Sequence, residues 1–307
     1  MIAPLPLRYG DKIGIIAPSR KIGSDDLSEF EKMIHQWGYQ LVYGKNLFDE
    51  YHQFAGSDED RAADFIRMIS DPEIKAIFCA RGGYGTVRIL ERLDKELIRK
   101  NPKWIIGYSD ITVLHSFYNK VVECETIHAA MPVHFTKDSA TNISWIKLER
   151  LLSGDSLRYD LVTHELNRFG YSEGILVGGN LSVLYSLHGT FCDLDTEGKI
   201  LFIEDLDEYL YHIDRMMMNL KISGKLKKLK GLIVGGMTGM KDNTVPFGRS
   251  AYDIIAEAVE DYSYPVVFDF PAGHREPNYP LILGRDVILE VQEEASVIKF
   301  TDFQLFN

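Results

Sequence analysis

A single serine stands at the bend between a predicted strand and a predicted helix. The apolar run Trp104-Ile105-Ile106 precedes Gly107-Tyr108-Ser109-Asp110, and an amphipathic run from Ile111 to Tyr118 follows it. This order predicts a buried strand, a sharp turn and a helix, with the Ser109 hydroxyl beside unpaired N–H groups at the helix N-terminus. A nucleophilic serine needs such donors to bind an oxyanion. The structural alternative is a helix cap, a role that serine and aspartate both fill well.

A glycine-rich stretch follows another predicted strand. Arg81-Gly82-Gly83-Tyr84-Gly85 comes after Ile74 to Ala80 and precedes a helix that opens at Thr86. Glycines let a backbone approach a ligand closely, and the N–H groups beyond them can bind an anion. The stretch matches neither the dinucleotide fingerprint nor the Walker A pattern, so an oxyanion or carboxylate cradle is favoured over a nucleotide loop. A tight turn without a ligand remains the alternative, and Arg81 is a candidate carboxylate-binding fork.

An acidic run follows the apolar strand Ile200 to Ile203. In Glu204-Asp205-Leu206-Asp207-Glu208, we expect Asp207 and Glu208 to cap and begin a helix, where negative charge is favourable. Glu204 comes first after the strand, so its side chain is expected at the sheet edge. The run is compatible with a metal site, with an acid that orients a base, or with a solvated helix start.

His274 is a candidate for proton transfer. It lies in Pro271-Ala272-Gly273-His274-Arg275, a loop after the apolar run Val266 to Phe270. His128 and His134, which flank Met131-Pro132, are second candidates. No histidine cluster has the spacing of a zinc site, and for each histidine a purely structural role is the alternative.

Cys79 is a possible rival nucleophile. It lies within the apolar run Ile77-Phe78-Cys79-Ala80, and a buried cysteine usually behaves as a small hydrophobic residue. The three cysteines are scattered, which predicts neither a disulfide framework nor a metal site.

Composition excludes several classes of protein. The chain has 307 residues, 45% of them hydrophobic, and a net charge of −11, which argues against binding to a nucleic acid backbone. No apolar run reaches the ~18 residues that would span a membrane. The N-terminus lacks the regions of a signal peptide. We therefore expect a cytoplasmic protein with no nucleic acid or membrane partner.

Strands and helices alternate along the first half of the chain. Near-continuous apolar strands in a βαβ order predict an α/β fold with a doubly wound parallel sheet, whose ligands bind at the carboxyl ends of the strands. Ser19, Arg81 and Ser109 all fall at such ends. We expect an N-terminal domain over residues 1–150, a linker over 151–170 and a C-terminal mixed α/β domain over 171–307.

Seven short motifs together resemble the LD-carboxypeptidase family of serine peptidases, which also contains the microcin C self-immunity peptidases. They stand in the family's order over nearly the whole chain: Ile16-Ala-Pro-Ser19, Phe54-Ala-Gly56, Ala80-Arg-Gly-Gly-Tyr-Gly85, Gly107-Tyr-Ser-Asp110, Gly178-Gly-Asn-Leu181, Ile203-Glu-Asp205 and Gly273-His274. Each motif is weak alone, but seven in order are specific.

The resemblance implies a Ser-Glu-His triad assembled from both domains, with the active site at their interface. It makes Ser109 the nucleophile, His274 the general base and Glu204 the acid that orients the histidine. It assigns the oxyanion hole to the backbone N–H groups of Gly83 and Asp110. It implies no cofactor and no metal, and it suggests a homodimer.

Three functions follow as alternatives. The first is a carboxypeptidase that releases D-alanine from a murein tetrapeptide in cell-wall recycling, cutting the bond between an L-centre and a D-residue. The second keeps the mechanism but cleaves an aminoacyl nucleotide or an acyl-sulfamoyl adenylate. The third is a catalytically silent two-domain protein that binds a ligand, which the fold alone permits.

Overall fold

The structure consists of two compact α/β units. The computed structural model describes residues 1–136, 139 and 141–302. The first unit comprises Met1–Asp155 and Tyr279–Ile282, and the second comprises Ser156–Asn278 and the chain from Leu283 onward. Residues 303–307, the end of the expected C-terminal domain, lie outside the described residues.

A six-stranded sheet forms the centre of the first unit. Its strand order is β2-β1-β3-β4-β5-β11, and the pairs that join β1 to β5 are all parallel. Strands β3 and β4 are apolar and almost wholly buried, as expected for strands covered on both faces. This order confirms the doubly wound sheet and puts its topological switch point between β1 and β3. The strands are β1 Lys12–Ile16, β2 Gln40–Tyr43, β3 Ile74–Cys79, β4 Trp104–Gly107, β5 Thr126–His128 and β11 Leu281–Leu283.

Five α-helices accompany this sheet. The second shows how the sequence begins a helix, because Ser57 and Asp60 form a reciprocal capping box at its start. The fourth leads directly out of a 3-10 turn at Ser109–Ile111 and continues as a π-helical turn at Tyr118–Val122. The helices are α1 Ser28–Gln36, α2 Asp58–Ser70, α3 Lys95–Lys100, α4 Thr112–Phe117 and α5 Ile143–Leu152.

A seven-stranded mixed sheet forms the centre of the second unit. Its order is β10-β9-β8-β7-β12-β13-β6. The pairs from β10 to β7 are parallel, and those from β7 to β6 are antiparallel. This confirms the expected mixed α/β unit. The strands are β6 Arg158–Val162, β7 Gly170–Asn180, β8 Ile200–Leu206, β9 Gly231–Thr238, β10 Val266–Val267, β12 Asp286–Val291 and β13 Ala295–Phe300.

Three α-helices cover the parallel half of this sheet. Their apolar side chains, including Ile213, Met216 and Ile255, pack in one buried core with β8 and β9 residues such as Ile203 and Val234. The helices are α6 Leu181–Ser186, α7 Leu210–Ile222 and α8 Ala251–Ala258.

Two expectations need correction. Residues 151–170, expected to be a linker, contain strand β6, which pairs with β13. Only Tyr159 of that strand is fully buried, so no apolar run marked it. The helix expected to begin at Glu208 begins at Leu210, with Tyr209 as its N-cap residue.

The structure bears on two further expectations. Within the described residues, no helix is long and apolar enough to cross a membrane. All three cysteines are buried and carry free thiols.

Candidate functional site

The turn after β4 holds Ser109 in a strained backbone conformation. Ser109 has a φ of +64°, the left-handed region that non-glycine residues rarely adopt. Such a conformation costs about 1–3 kcal/mol, and residues that adopt it cluster at functional sites. Ser109 is partly exposed and is the first residue of a 3-10 turn whose N-cap residue is Tyr108, and the N-cap residue of the helix that follows is Ile111. The cap interpretation of Ser109 is therefore wrong, whereas the predicted strand, turn and helix are present.

The glycine-rich loop packs directly against this serine. A Cβ atom built on Gly82 would lie 3.0 Å from Ser109 Cβ and 3.2 Å from its Oγ. Gly83 has a φ of +117°, and a Cβ built on it would lie 2.5 Å from Cδ of Arg20. Any larger residue would therefore displace a neighbour at either position, so the glycines bring the loop backbone close to the hydroxyl.

Asp110 fastens the end of the glycine-rich loop to the serine turn. Its Oδ2 atom accepts hydrogen bonds from the Thr86 backbone N–H at 2.9 Å and from Thr86 Oγ1 at 2.7 Å. Burial raises the pKa of Asp110, although the hydrogen bonds from Thr86 act in the opposite direction. The carboxylate thus joins two segments and does not cap its own helix. Its backbone N–H lies in the first helical turn, where no acceptor within the helix is available.

A buried arginine, Arg61, binds backbone carbonyl groups of the glycine-rich loop and of the loop after β1. Nη1 of Arg61 donates to the carbonyl oxygen of Pro18 at 2.6 Å and to that of Gly85 at 2.9 Å. The guanidinium is paired with Asp58 and stacks on the Phe54 ring, 4.9 Å from its centroid. The planar fork of arginine suits this role because it binds several acceptors in one fixed geometry.

Arg81, the candidate carboxylate fork, is bound to the protein backbone. Its Nη1 donates to the carbonyl oxygen of Lys21 at 3.0 Å, and its own carbonyl accepts from Ser19 Oγ at 3.0 Å. These bonds connect the loops after β1 and β3. They give Arg81 a part in shaping the loop, and whether it also binds substrate stays a prediction.

In the second unit, Glu204 and His274 form a hydrogen-bonded pair. His274 Nδ1 lies 2.7 Å from Glu204 Oε2, and the His274 backbone N–H donates to the same oxygen at 3.2 Å. Glu204 is fully buried within β8, so the strand extends beyond the point where the sequence predicted its end. Because a carboxylate only accepts, Nδ1 carries the proton and Nε2 of the neutral ring keeps its lone pair.

The pKa of His274 reflects competing effects. Burial on its own lowers that pKa, because it disfavours the charged ring. The hydrogen bond and charge of Glu204, with further contributions from the charges of Asp205 and Asp207, outweigh burial and raise the pKa above its ordinary value. The site therefore stabilises an imidazolium, as a general base requires after it takes a proton.

Asp205 is a buried acid beside this pair, and the sequence indicated no separate role for it. It accepts hydrogen bonds from Asn180 Nδ2 at 2.9 Å and from the Ser182 backbone N–H at 2.7 Å. Burial and the neighbouring charge of Glu204 raise the pKa of Asp205 to about 7. Its contacts join the end of β7 to β8, so it helps to fix the strand that carries Glu204. Its place in the motif after Glu204 was the available signal.

The rival candidates have structural environments. Cys79 is fully buried, and burial raises the pKa of its thiol. His134 Nδ1 lies 3.2 Å from the hydroxyl of Tyr108, and the fully buried His128 packs near the same tyrosine ring. Within the described residues, no group of three or more histidine, cysteine or acidic side chains has the arrangement of a metal site.

The candidate residues thus fall into two groups. Ser109, Gly83 and Asp110 come together in the first unit, and Glu204 and His274 come together in the second.

Both units match halves of one kind of peptidase. The model of the LD-carboxypeptidase N-terminal domain matches residues 13–129, and that of the C-terminal domain matches residues 173–289. The chain belongs to the LD-carboxypeptidase family.

Relatives over the full length agree with this assignment. The chain is 36% identical to the probable murein peptide carboxypeptidase of Bacillus subtilis, over 96% of this chain and 94% of that one. It is 28% identical to the muramoyltetrapeptide carboxypeptidase of Oxalobacter formigenes, whose crystal structure matches 95% of this chain and 99% of its own with a TM-score of 0.88.

A more distant structure shares the fold alone. It is that of MccF in complex with glutamyl sulfamoyl guanosine, at 22% identity and a TM-score of 0.86, covering 99% of this chain and 100% of the other.

Proposed function

We propose that this protein is a serine LD-carboxypeptidase that releases the terminal D-alanine of a murein tetrapeptide. Ser109 is the nucleophile, His274 its general base and Glu204 the acid that orients the base. The backbone N–H groups of Gly83 and Asp110 bind the oxyanion. The terminal D-alanine and the L-centre before it define the bond that is cut.

The observation that carries this proposal is the buried pair of Glu204 and His274. A fully buried carboxylate bound to Nδ1 at 2.7 Å fixes the tautomer in which Nε2 can accept a proton. A purely structural histidine on a loop has no need of an ionised partner, whereas a general base depends on one.

The reaction proceeds through an acyl-enzyme. Ser109 Oγ attacks the scissile carbonyl carbon while His274 Nε2 takes the hydroxyl proton, and the two backbone N–H groups stabilise the oxyanion. The imidazolium then gives its proton to the leaving nitrogen as the C–N bond breaks, and D-alanine departs. Water attacks the ester, His274 takes a proton from it, and Ser109 leaves with that proton restored.

The names of the relatives support the choice of substrate. The relatives from B. subtilis and O. formigenes are described as carboxypeptidases of murein peptides and of muramoyltetrapeptide, and both match this chain over nearly its full length. Release of D-alanine from such a peptide fits a role in cell-wall recycling.

A second substrate class keeps the same mechanism. MccF binds glutamyl sulfamoyl guanosine, and its fold is shared over 99% of this chain. An aminoacyl nucleotide or an acyl-sulfamoyl adenylate is therefore the alternative substrate, and its acyl group would bind to the same serine.

A comparison of two substrates tests the proposal. The wild-type protein and the Ser109→Ala variant are incubated with a murein tetrapeptide and with an aminoacyl-sulfamoyl adenylate, and the products are identified by mass spectrometry. We expect D-alanine release by the wild type, unchanged in EDTA and absent in the variant. Cleavage of the adenylate alone would favour the second substrate class, and no cleavage of either would favour a silent binding protein.

A further inference from the structure

We infer that Arg20 binds the terminal carboxylate of the substrate and so restricts the enzyme to the last residue of a peptide. This inference rests on the proposed function, because it names the group that recognises the leaving D-amino acid. A carboxypeptidase must select a free carboxylate one residue beyond the scissile carbonyl.

Arg20 lies at the topological switch point of the first sheet. It follows β1 by four residues and forms an isolated antiparallel bridge with Phe54, which fixes its backbone. The neighbouring strand β3 leads into the glycine-rich loop. In doubly wound sheets, ligands bind in the crevice outside the strand ends at this point.

The side chain of Arg20 lies against Gly83 in the glycine-rich loop. A Cβ atom built on Gly83 would lie 2.5 Å from Cδ of Arg20 and 3.0 Å from its Nε. On the other side of the same dipeptide, Gly82 packs against Ser109, with its own built Cβ 3.2 Å from the hydroxyl oxygen. The two glycines thus separate the arginine from the nucleophile by little more than one peptide unit.

The guanidinium of Arg20 is available to a ligand. The residue is exposed, and within residues 1–136, 139 and 141–302 it makes no side-chain hydrogen bond or ion pair. The other basic residues of this loop are occupied, since Arg81 binds the Lys21 carbonyl and Lys21 pairs with Glu50 at 2.6 Å. The charge of Arg20 acts on the carboxyl group of Asp110, whose hydrogen bonds go to Thr86.

This placement fits a peptide whose carbonyl occupies the oxyanion hole. The carboxylate carbon of the last residue lies three bonds beyond the scissile carbon, or roughly 3–4 Å away. A guanidinium fork that lies across Gly83 can bind both oxygens of that carboxylate. Arg20 thereby supplies a local positive charge in a protein whose net charge is −11.

A pair of substrates isolates the interaction. Hydrolysis is measured for a murein tetrapeptide with a free terminal carboxylate and for the same peptide as its terminal carboxamide. We expect Arg20→Gln to lower kcat/KM for the acid by about 10- to 100-fold, as for a lost hydrogen bond to a charged group, and to change that for the amide by less than about 2-fold.

Two further variants test whether a nearby positive charge is enough or whether the guanidinium fork itself is needed. Lys21→Gln removes a positive charge from the adjacent, ion-paired residue and should leave the preference for the acid unchanged. Arg20→Lys keeps the charge without the fork and should retain part of the preference.

The outcomes separate this inference from the proposed function. An unchanged ratio of acid to amide hydrolysis in Arg20→Gln, with the wild type active, would overturn the role of Arg20 alone. Failure of the wild type to cleave either peptide would overturn both proposals. Equal losses on acid and amide would show that Arg20 only supports the loop, and would also overturn the inference.

Discussion

The Gly273 backbone lies so close to Glu204 that no side chain fits between them. Gly273 has a φ of +101°, and a Cβ built on it would lie 2.5 Å from Glu204 Oε2 and 2.7 Å from Glu204 Cβ. The residue before the histidine must therefore be glycine for His274 and the buried carboxylate to meet.

Gly273→Ala should therefore disrupt the pair of Glu204 and His274. We expect activity to fall by at least about 100-fold, because the base loses the group that holds its tautomer. The control is Gly224→Ala, at a φ of +81° with no atom within 4 Å, which should cost about 1 kcal/mol of stability and leave activity intact. Full activity in Gly273→Ala would show that the pair is not needed.

The strained backbone at Ser109 predicts that two inactive variants will differ in stability. Ser109→Gly and Ser109→Ala should both be inactive, because each lacks the hydroxyl. Glycine adopts a φ of +64° without strain. The free energy of unfolding of Ser109→Gly should therefore exceed that of Ser109→Ala by about 1 kcal/mol. Urea unfolding of the two variants measures the difference. Equal stability would mean that the turn stores no strain.

The proposed oxyanion role of the Gly83 N–H predicts a loss in turnover on substitution of Gly83. Gly83→Ala should lower kcat by about 100- to 1000-fold, because its Cβ would meet the Arg20 side chain and displace the N–H donor. The loss should appear for acid and amide peptides alike and be larger for the acid, because the new Cβ also displaces Arg20, whereas Arg20→Gln should affect the acid alone. Gly189→Ala, at a φ of +77° in open space, is the matched control. A change in KM alone would argue against an oxyanion role.

The raised pKa of His274 predicts the shape of the pH profile. The base acts only when its ring is neutral, so kcat/KM should fall as pH decreases through the pKa of His274, with a midpoint above the ordinary value of about 6.5. Glu204→Gln removes the charge that raises this pKa, so its midpoint should lie lower. Rate profiles and NMR titration of the His274 ring measure both. If the midpoint of the pH profile were the same in Glu204→Gln as in the wild type, Glu204 would not set the pKa of His274.

Much of the fold was predictable because buried parallel strands are continuously apolar. Strands β3 and β4 stand out for that reason, and the serine turn follows directly from the end of β4. Strand β6 was missed because only Tyr159 is fully buried in it. Strand β11 was missed because it is only three residues long. It also joins a sheet whose other five strands all lie before residue 129, more than 150 residues earlier in the chain.

The residues of the candidate site that lie in short motifs could be predicted from the sequence. Those placed by contacts between distant parts of the chain could not. The resemblance supplied Ser109, Glu204 and His274 as a set. The contact between Asp110 and Thr86, 24 residues apart, leaves no local pattern, so the sequence left a helix cap as the alternative for Asp110 and did not show its link to the glycine-rich loop. Arg20 follows a strand end beside the noted Ser19, but only the fold brings it over Gly83.

Covalent labelling can identify the nucleophile itself. The protein is treated with a fluorophosphonate that carries an anionic D-alanine-like group, and the adduct is located by peptide mass spectrometry. We expect one adduct, on Ser109, with slower labelling in His274→Ala and in Glu204→Gln and protection by murein tetrapeptide. An adduct on another residue would exclude Ser109 as the nucleophile, and labelling of Ser109 at an unchanged rate in His274→Ala would exclude His274 as its base.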